Sequence, residues 1–229
     1  MVTNDIVIDL PQALPRPVLA LGSELKNTVC CGAGTRLWLS TPLDDLRCAA
    51  DLDVFEQRLC DWPRQLGIEP DVLAYDPHPN YSAAAFVRRA DIWPGACRIA
   101  VQHHMAHVAA GCVAEEVWTP CTGLAFDGTG YGTDGMTWGG EFFAGAPTVG
   151  FTHIGRLRPF LLPGAERAIT EPWRIALALA HAAGISDIAA PPGVAAETFD
   201  IVRHLLTSSV PTVVRTTSAG RLFDGLSAM

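Results

Sequence analysis

Apolar and polar positions along the chain switch between a two-residue and a helical period. PVLALGSELKNTVCC (17–31) reads as a strand, a tight glycine turn and a second strand, and short strands continue through TRLWLS. In LDDLRCAADLDVFEQRLCDWPRQLG, Leu46, Ala49, Ala50, Val54 and Leu59 recur among charges, which predicts an amphipathic helix ending near Gly67. DVLAYD is a buried-strand run, PHPNYSAAAFVRRA passes from a turn into a helix, and CRIAVQ is another short strand. Helical composition then runs from His103 to Trp118, and Pro120 closes it. TGLAFDGTGYGTDGMTWGGEFFAGA predicts a strand, a glycine loop and a second strand in a hairpin-like unit. EPWRIALALAHAAGI is helical, with Pro172 near its first turn where a missing N–H costs little, and ETFDIVRHLLTSS and AGRLFDGLSAM are helical too. Residues 1–16 are weakly patterned and read as a leader or linker stub. Strands and helices alternate, yet several consecutive strands are hairpin-connected, so the expected class is α/β with a mixed sheet flanked by helices.

At 229 residues, 49% hydrophobic and 17% charged, the chain can bury a substantial core. Its formal net charge of −8, with no run of Lys or Arg, argues against nucleic acid as a partner. MVTNDIVIDLPQALPR has acidic residues where a secretory signal needs positive charge. The greasiest segment, IALALAHAAGISDIAA, is broken by His181, Gly184, Ser186 and Asp187 short of the about 20 apolar residues a bilayer requires, so it reads as a core helix, not a membrane span. Seven cysteines in no CxxC spacing point to a reduced, cytoplasmic setting.

The chemistry concentrates in VQHHMAHVAAGCVAEE (101–116) and DGTGYGTDGMTWGGEF (127–142). Three of the seven histidines fall within five residues. His103 and His107, four apart, share one helix face and can share a cation, whereas His104 points elsewhere and reads as a supporting or substrate-facing residue. Partly buried, hydrogen-bonded histidines are the alternative. Asp127 ends the strand LAFD, where open α/β sheets put their ligand groups, and Gly128, Gly130 and Gly132 let backbone N–H groups approach an anion. An ordinary glycine-rich hairpin turn explains the same spacing. Two imidazoles and a carboxylate leave coordination positions open, as in a working metal site. Lys26 in GSELKNT is either a second phosphate contact or a solvated lysine. Trp62, Trp138 and Trp173 read as core, and Asp76 and His78 as an Asx-type turn.

In this order, LALGSELKNTVC, DPHPNYSA, VQHHMAHVAAGCVAE, AFDGTGYGTDGMTWGGEFF, LRPFLLPGAERAITEPWRIALA and TTSAGRLFDGLSA resemble the hydrogenase maturation carbamoyltransferases, the HypF family. The likeness lies in the C-terminal transferase region, which is related to the tRNA threonylcarbamoyl transferases. It implies an actin-like, ribonuclease-H-like ATPase (ASKHA) fold, with residues 17–150 a first lobe and 151–229 the start of a truncated second lobe. It implies transfer of carbamoyl from carbamoyl-adenylate, made from carbamoyl phosphate and ATP, to the C-terminal cysteine of a HypE-like maturation partner, a group that becomes the cyanide ligand of a nickel–iron centre. By position it implies that His103, His107 and Asp127 hold a divalent metal, zinc or iron, and that the backbone of Gly128, Thr129, Gly130 and Gly132 faces the nucleotide; beside these, His104 is the expected catalytic residue and Lys26 the expected further nucleotide contact. The family's upstream modules and the rest of its second lobe are missing from these motifs, so another chain is expected to supply that lobe; the other expectation is an inactive metal- and nucleotide-binding fragment. The acidic balance argues against tRNA threonylcarbamoylation.

Overall fold

The computed structural model describes residues 6–89, 92–185, 187–207 and 213–229. Residues 1–5 of the expected leader, Ala90 after the RR pair, Ser186 at the break in the apolar segment, and Ser208 and Ser209 of HLLTSS lie outside the described residues. The chain divides into two compact units, Met1–Gln102 and His103–Met229. Residues 150 and 151, where the lobe boundary is expected, open the strand Gly150–Arg156.

In the first unit the elements are β1 (Ile6–Asp9), β2 (Val18–Ala20), β3 (Leu25–Asn27), β4 (Cys30–Ala33), β5 (Arg36–Leu39), β6 (Leu43–Asp45), α1 (Ala49–Gln65), β7 (Val72–Tyr75), α2 (Ser82–Val87) and β8 (Cys97–Ala100). Six strands form one sheet in the order β1-β5-β4-β2-β7-β8. Short connections make β4–β5 antiparallel, while β2 to β7 and β7 to β8 are parallel because α1 and α2 carry the crossovers. The expected mixed sheet is therefore present. Ile6–Asp9, expected in a leader stub, pairs antiparallel with β5 as an edge strand. The expected tight turn between β2 and β4 is wider, since β3 lies between them and pairs with β6. On α1, Phe55, Leu59 and Trp62 fall on one helical stripe and pack with Leu19, Leu21, Val29, Leu73 and Phe86 in the core. Asp76 Oδ1 accepts from the His78 N–H at 2.9 Å, the expected Asx-type turn.

The second unit contains α3 (His103–Ala114), β9 (Cys121–Tyr131), β10 (Thr137–Ala146), β11 (Gly150–Arg156), β12 (Phe160–Leu162), α4 (Glu166–Thr170), α5 (Trp173–Ala182), α6 (Ala196–Thr207), β13 (Val214–Thr216) and α7 (Ala219–Ser227). β10 is its axis, antiparallel to β9 and β11 and parallel to β13 at Thr137 and Thr216. Phe143 is fully enclosed, α3 packs on β9 and β10, and α5 packs on β12 and α7. Trp138 is buried, and Trp173 stacks on Phe199 with ring centroids 5.9 Å apart. No described helix is long and apolar enough to cross a membrane.

Leu19 is fully buried on β2, where parallel and antiparallel pairing meet. Leu19→Ala should destabilise the first unit by about 3 kcal/mol, through lost transfer energy plus a cavity. Urea unfolding followed by tryptophan fluorescence checks this, and a loss below about 1 kcal/mol would mean the site collapses around the smaller side chain.

Candidate metal centre

Strand alternation decides what β9 offers to the helix above it. Cys121, Gly123, Ala125 and Asp127 point inward, while Leu124 and Phe126 stand exposed on the other face. From α3, the stripe His104, Val108 and Cys112 is buried. Val108 sits over Gly123 so closely that a Cβ there would come within 2.2 Å of Val108 Cγ1. His104 sits over Gly130 in the same way, its Cε1 2.3 Å from where a Cβ would be. Both strand positions must lack a side chain for α3 to lie where it does.

This packing brings the predicted ligands together. The Nε2 atoms of His103 and His107 are 3.1 Å apart, and Asp127 Oδ2 lies 3.2 Å from the first and 4.0 Å from the second. Donors held about 2.1 Å from one tetrahedral ion lie about 3.4 Å apart, so these three need shift only slightly to share one. His103, His107 and Asp127 are the one such group among the described residues. His107 is half-exposed, which leaves the cluster open on that side. The donor set fits a divalent transition ion with free coordination positions.

Burial by itself would raise the Asp127 pKa. The hydrogen bond from His103, the Gly128 N–H donating to Oδ1 at 2.6 Å, and the positive potential of His103 and His107 outweigh it and hold the carboxyl group below its usual range. His104 is fully enclosed, its Nε2 3.8 Å from Asp127 Oδ2. Burial, reinforced by repulsion from His103, lowers its pKa to about 4 and keeps the ring neutral at neutral pH.

The glycine run differs from the expected loop. Gly128, Thr129 and Gly130 belong to β9, and Gly132 alone enters the turn to β10. Between the pairs Phe126–Gly140 and Gly130–Trp138, three residues of β9 oppose the single Gly139. The strand bulges at Asp127, the candidate ligand, and the alternation shifts there so that Gly130 faces His104. A Cβ on Gly139 would lie 2.5 Å from the Asp127 carbonyl oxygen, so the bulge also requires glycine across the ladder. Lys26, in the first unit, is exposed in β3 with φ +49.

Sequence reasoning missed the residues that hold the bulge. The Ser218 hydroxyl lies 2.7 Å from the carbonyls of both Asp127 and Gly128, and its oxygen accepts the Arg221 N–H as the N-cap of α7. Glu141, fully enclosed, accepts from the Thr217 hydroxyl and meets His153 Nε2 at 2.7 Å. His153 stacks on Trp138 with centroids 4.5 Å apart. TTSAGRLFDGLSA carried a family resemblance but no role, because a serine that reaches strand carbonyls some 90 residues away in the chain leaves no local pattern.

Two family models divide the chain. "HypF Kae1-like domain" matches residues 13–115, and "Carbamoyltransferase, Kae1-like Domain, second subdomain" matches residues 123–229. The chain belongs to the HypF family. It is 35% identical over 214 residues to Carbamoyltransferase HypF of Rhizobium leguminosarum bv. viciae, covering 93% of this chain and 27% of that protein. Against Carbamoyltransferase HypF2 of Cupriavidus necator it is 39% identical over 170 residues, 73% of this chain and 21% of the relative. A crystal structure of full-length HypF in the phosphate- and nucleotide-bound form superposes with a TM-score of 0.83 at 28% identity, covering 97% of this chain and 29% of that one. The T. kodakarensis HypF structure shares the fold, with a TM-score of 0.81 at 24% identity. The chain thus spans less than a third of each HypF protein compared here. The actin-like α/β architecture expected from the motifs is the one these HypF structures share with it.

The double variant His103→Ala/His107→Ala should weaken zinc binding by more than about 100-fold, since loss of supporting groups alone costs up to that much. Gly130→Ala should weaken it too, because its Cβ would displace the His104 ring, while Thr122→Ala on the outer face should not. Calorimetric zinc titration of the purified chain checks all three, and wild-type affinity in the double variant would remove the ligand assignment.

Proposed function

We propose that this chain carries the metal- and nucleotide-binding part of a carbamoyltransferase of the HypF type. The observation that carries the reading is the cluster of His103, His107 and Asp127, two imidazoles and a carboxyl group with one side open, on a chain of this family. The reaction is transfer of carbamoyl from carbamoyl-adenylate to the C-terminal cysteine thiol of a HypE-like hydrogenase maturation partner, in a reducing, cytoplasmic setting. The partner thiolate attacks the carbamoyl carbon, a carbon–sulfur bond forms, and AMP leaves with the electrons of the broken carbon–oxygen bond.

In this reading His103, His107 and Asp127 hold zinc or iron(II), which supplies Lewis-acid stabilisation of negative charge at the acyl centre when bound. The backbone of Gly128, Thr129, Gly130 and Gly132 faces the nucleotide phosphates. The phosphate and nucleotide named for the full-length HypF structure support a nucleotide site in this fold. His104, enclosed beneath the ligands, is assigned a positioning role in place of the expected catalytic one: its neutral ring fills the space over Gly130 and sets where His103 stands. No protein nucleophile is required, since the thiol comes from the partner.

Three ligands open to water neither exclude hydrolysis nor preorganise charge around the acyl group. The remaining lobe and the adenylate-forming module are therefore assigned to residues beyond these 229, in the same polypeptide or in a separate chain. These residues by themselves should not carbamoylate a partner's C-terminal cysteine from carbamoyl phosphate and ATP, nor from preformed carbamoyl-adenylate. Adding a chain that contains the missing lobe should restore transfer from the adenylate, read by mass spectrometry of the partner's C-terminal peptide. Transfer by the 229 residues alone from carbamoyl phosphate and ATP would overturn the incompleteness. Failure with the complementing chain present would favour the inactive fragment.

A further inference from the structure

The stripe that sets His104 over Gly130 and Val108 over Gly123 continues one turn further along α3. There Cys112, buried, meets Cys121, partly exposed at the first position of β9, with the Sγ atoms 3.6 Å apart. Both are free thiols. Only residues 113–120 separate them, so the helix end, the connection and the strand start form a short loop with a thiol at each foot. We propose that Cys112 and Cys121 are a redox-active dithiol, an oxidation site that closes to a disulfide joining α3 to β9.

The oxidant is a low-molecular-weight disulfide of the glutathione class. Cys121, the accessible member, attacks one of its sulfurs as the thiolate, forming a mixed disulfide and releasing one small thiol. Cys112 then gives up its proton and attacks Cys121 Sγ as the thiolate, the bond to the small molecule breaks, and the second small thiolate leaves and takes up a proton. The two protein thiols lose two electrons and two protons, and the oxidant gains them. Burial, together with the contact to Cys121, raises the Cys112 pKa, which keeps it protonated and makes it the resolving and not the attacking thiol. Closure requires the sulfurs to approach from 3.6 Å to about 2.05 Å. Between these two elements the Val108–Gly123 contact is already as close as glycine permits, so the movement falls on side-chain torsions and the helix end.

The consequence reaches the metal centre, because α3 carries His103 and His107 and β9 carries Asp127. A covalent link between these elements braces candidate ligands that are otherwise placed by helix–strand packing and by the hydrogen bonds on Asp127. This inference does not rest on the carbamoyl-transfer reading.

The test incubates the purified, metal-free chain with oxidised glutathione, alkylates remaining thiols under denaturing conditions, and maps the peptides by mass spectrometry. The expected result is a Cys112–Cys121 linkage with loss of two hydrogens, reversed by dithiothreitol. Cys121→Ser should leave Cys112 fully alkylatable, and the linked wild type should melt at a higher temperature than the reduced chain. Exposed Cys48 and Cys97 report that the oxidant acted. Glutathione on those two, with Cys112 and Cys121 still fully alkylated, would overturn the site. An equal or lower melting temperature in the linked form would overturn its role as a brace.

Discussion

The candidate centre depends on how closely α3 can lie against β9. At Gly123 and Gly130 the strand offers bare backbone, and Val108 and His104 occupy the volume any side chain would take. Interiors are close-packed, so even one methyl group at these positions has to push the helix or its side chains away. With α3 at that height, the first-turn imidazole of His103 and the half-exposed ring of His107 come level with Asp127, and three donors converge within 4.8 Å. Gly130, one of the three glycines that read as an anion loop, thus has a structural duty that precedes any ligand: with Gly123 it sets the distance between helix and strand.

The second requirement is that Asp127 face the helix, which strand alternation sets, and the bulge opposite Gly139 then shifts that alternation so that Gly130 faces His104. A bulge frees backbone groups from the ladder, and buried carbonyls left without partners cost about 1–3 kcal/mol each. Ser218 takes up those of Asp127 and Gly128 while capping α7, so one hydroxyl joins a strand defect to a helix start. Beneath it Glu141 ties β10 to β11 through His153 and to the residue after β13 through Thr217. An enclosed carboxyl group is tolerable only with such partners, and losing either would leave a costly buried group. Asp127 is held from the helix side by histidines and from the sheet side by this polar core.

Much of this was legible in the sequence. The helical stretch from His103, the LAFD strand and the mixed sheet follow from periodicity and punctuation, and so does the helix ending near Gly67, although of the apolar positions read there Ala49, Ala50 and Val54 are exposed, and Phe55 and Trp62 join Leu59 on the buried face. The convergence of His103, His107 and Asp127 was legible because i, i+4 spacing is a helical fact and a carboxylate at the end of an apolar run is a strand fact. Edge strand β1 was not, since IVID has too few residues to show its alternation beside a proline-containing stretch. The bulge was not, because glycine spacing cannot distinguish a turn from an extended strand that must clear a neighbour. Nor were the Ser218 clamp and the Cys112–Cys121 contact, which join residues whose proximity arises only once β9 and α3 are in place.

Helix–strand packing at the candidate centre offers nitrogen and oxygen donors, and not sulfur, to a divalent ion. Zinc-edge X-ray absorption on the chain loaded with one equivalent of zinc tests this directly. The account predicts two imidazole nitrogens and further oxygen scatterers at about 2.0–2.2 Å. A shell of sulfur at about 2.3 Å, as the Cys112 and Cys121 thiols would give, would contradict it.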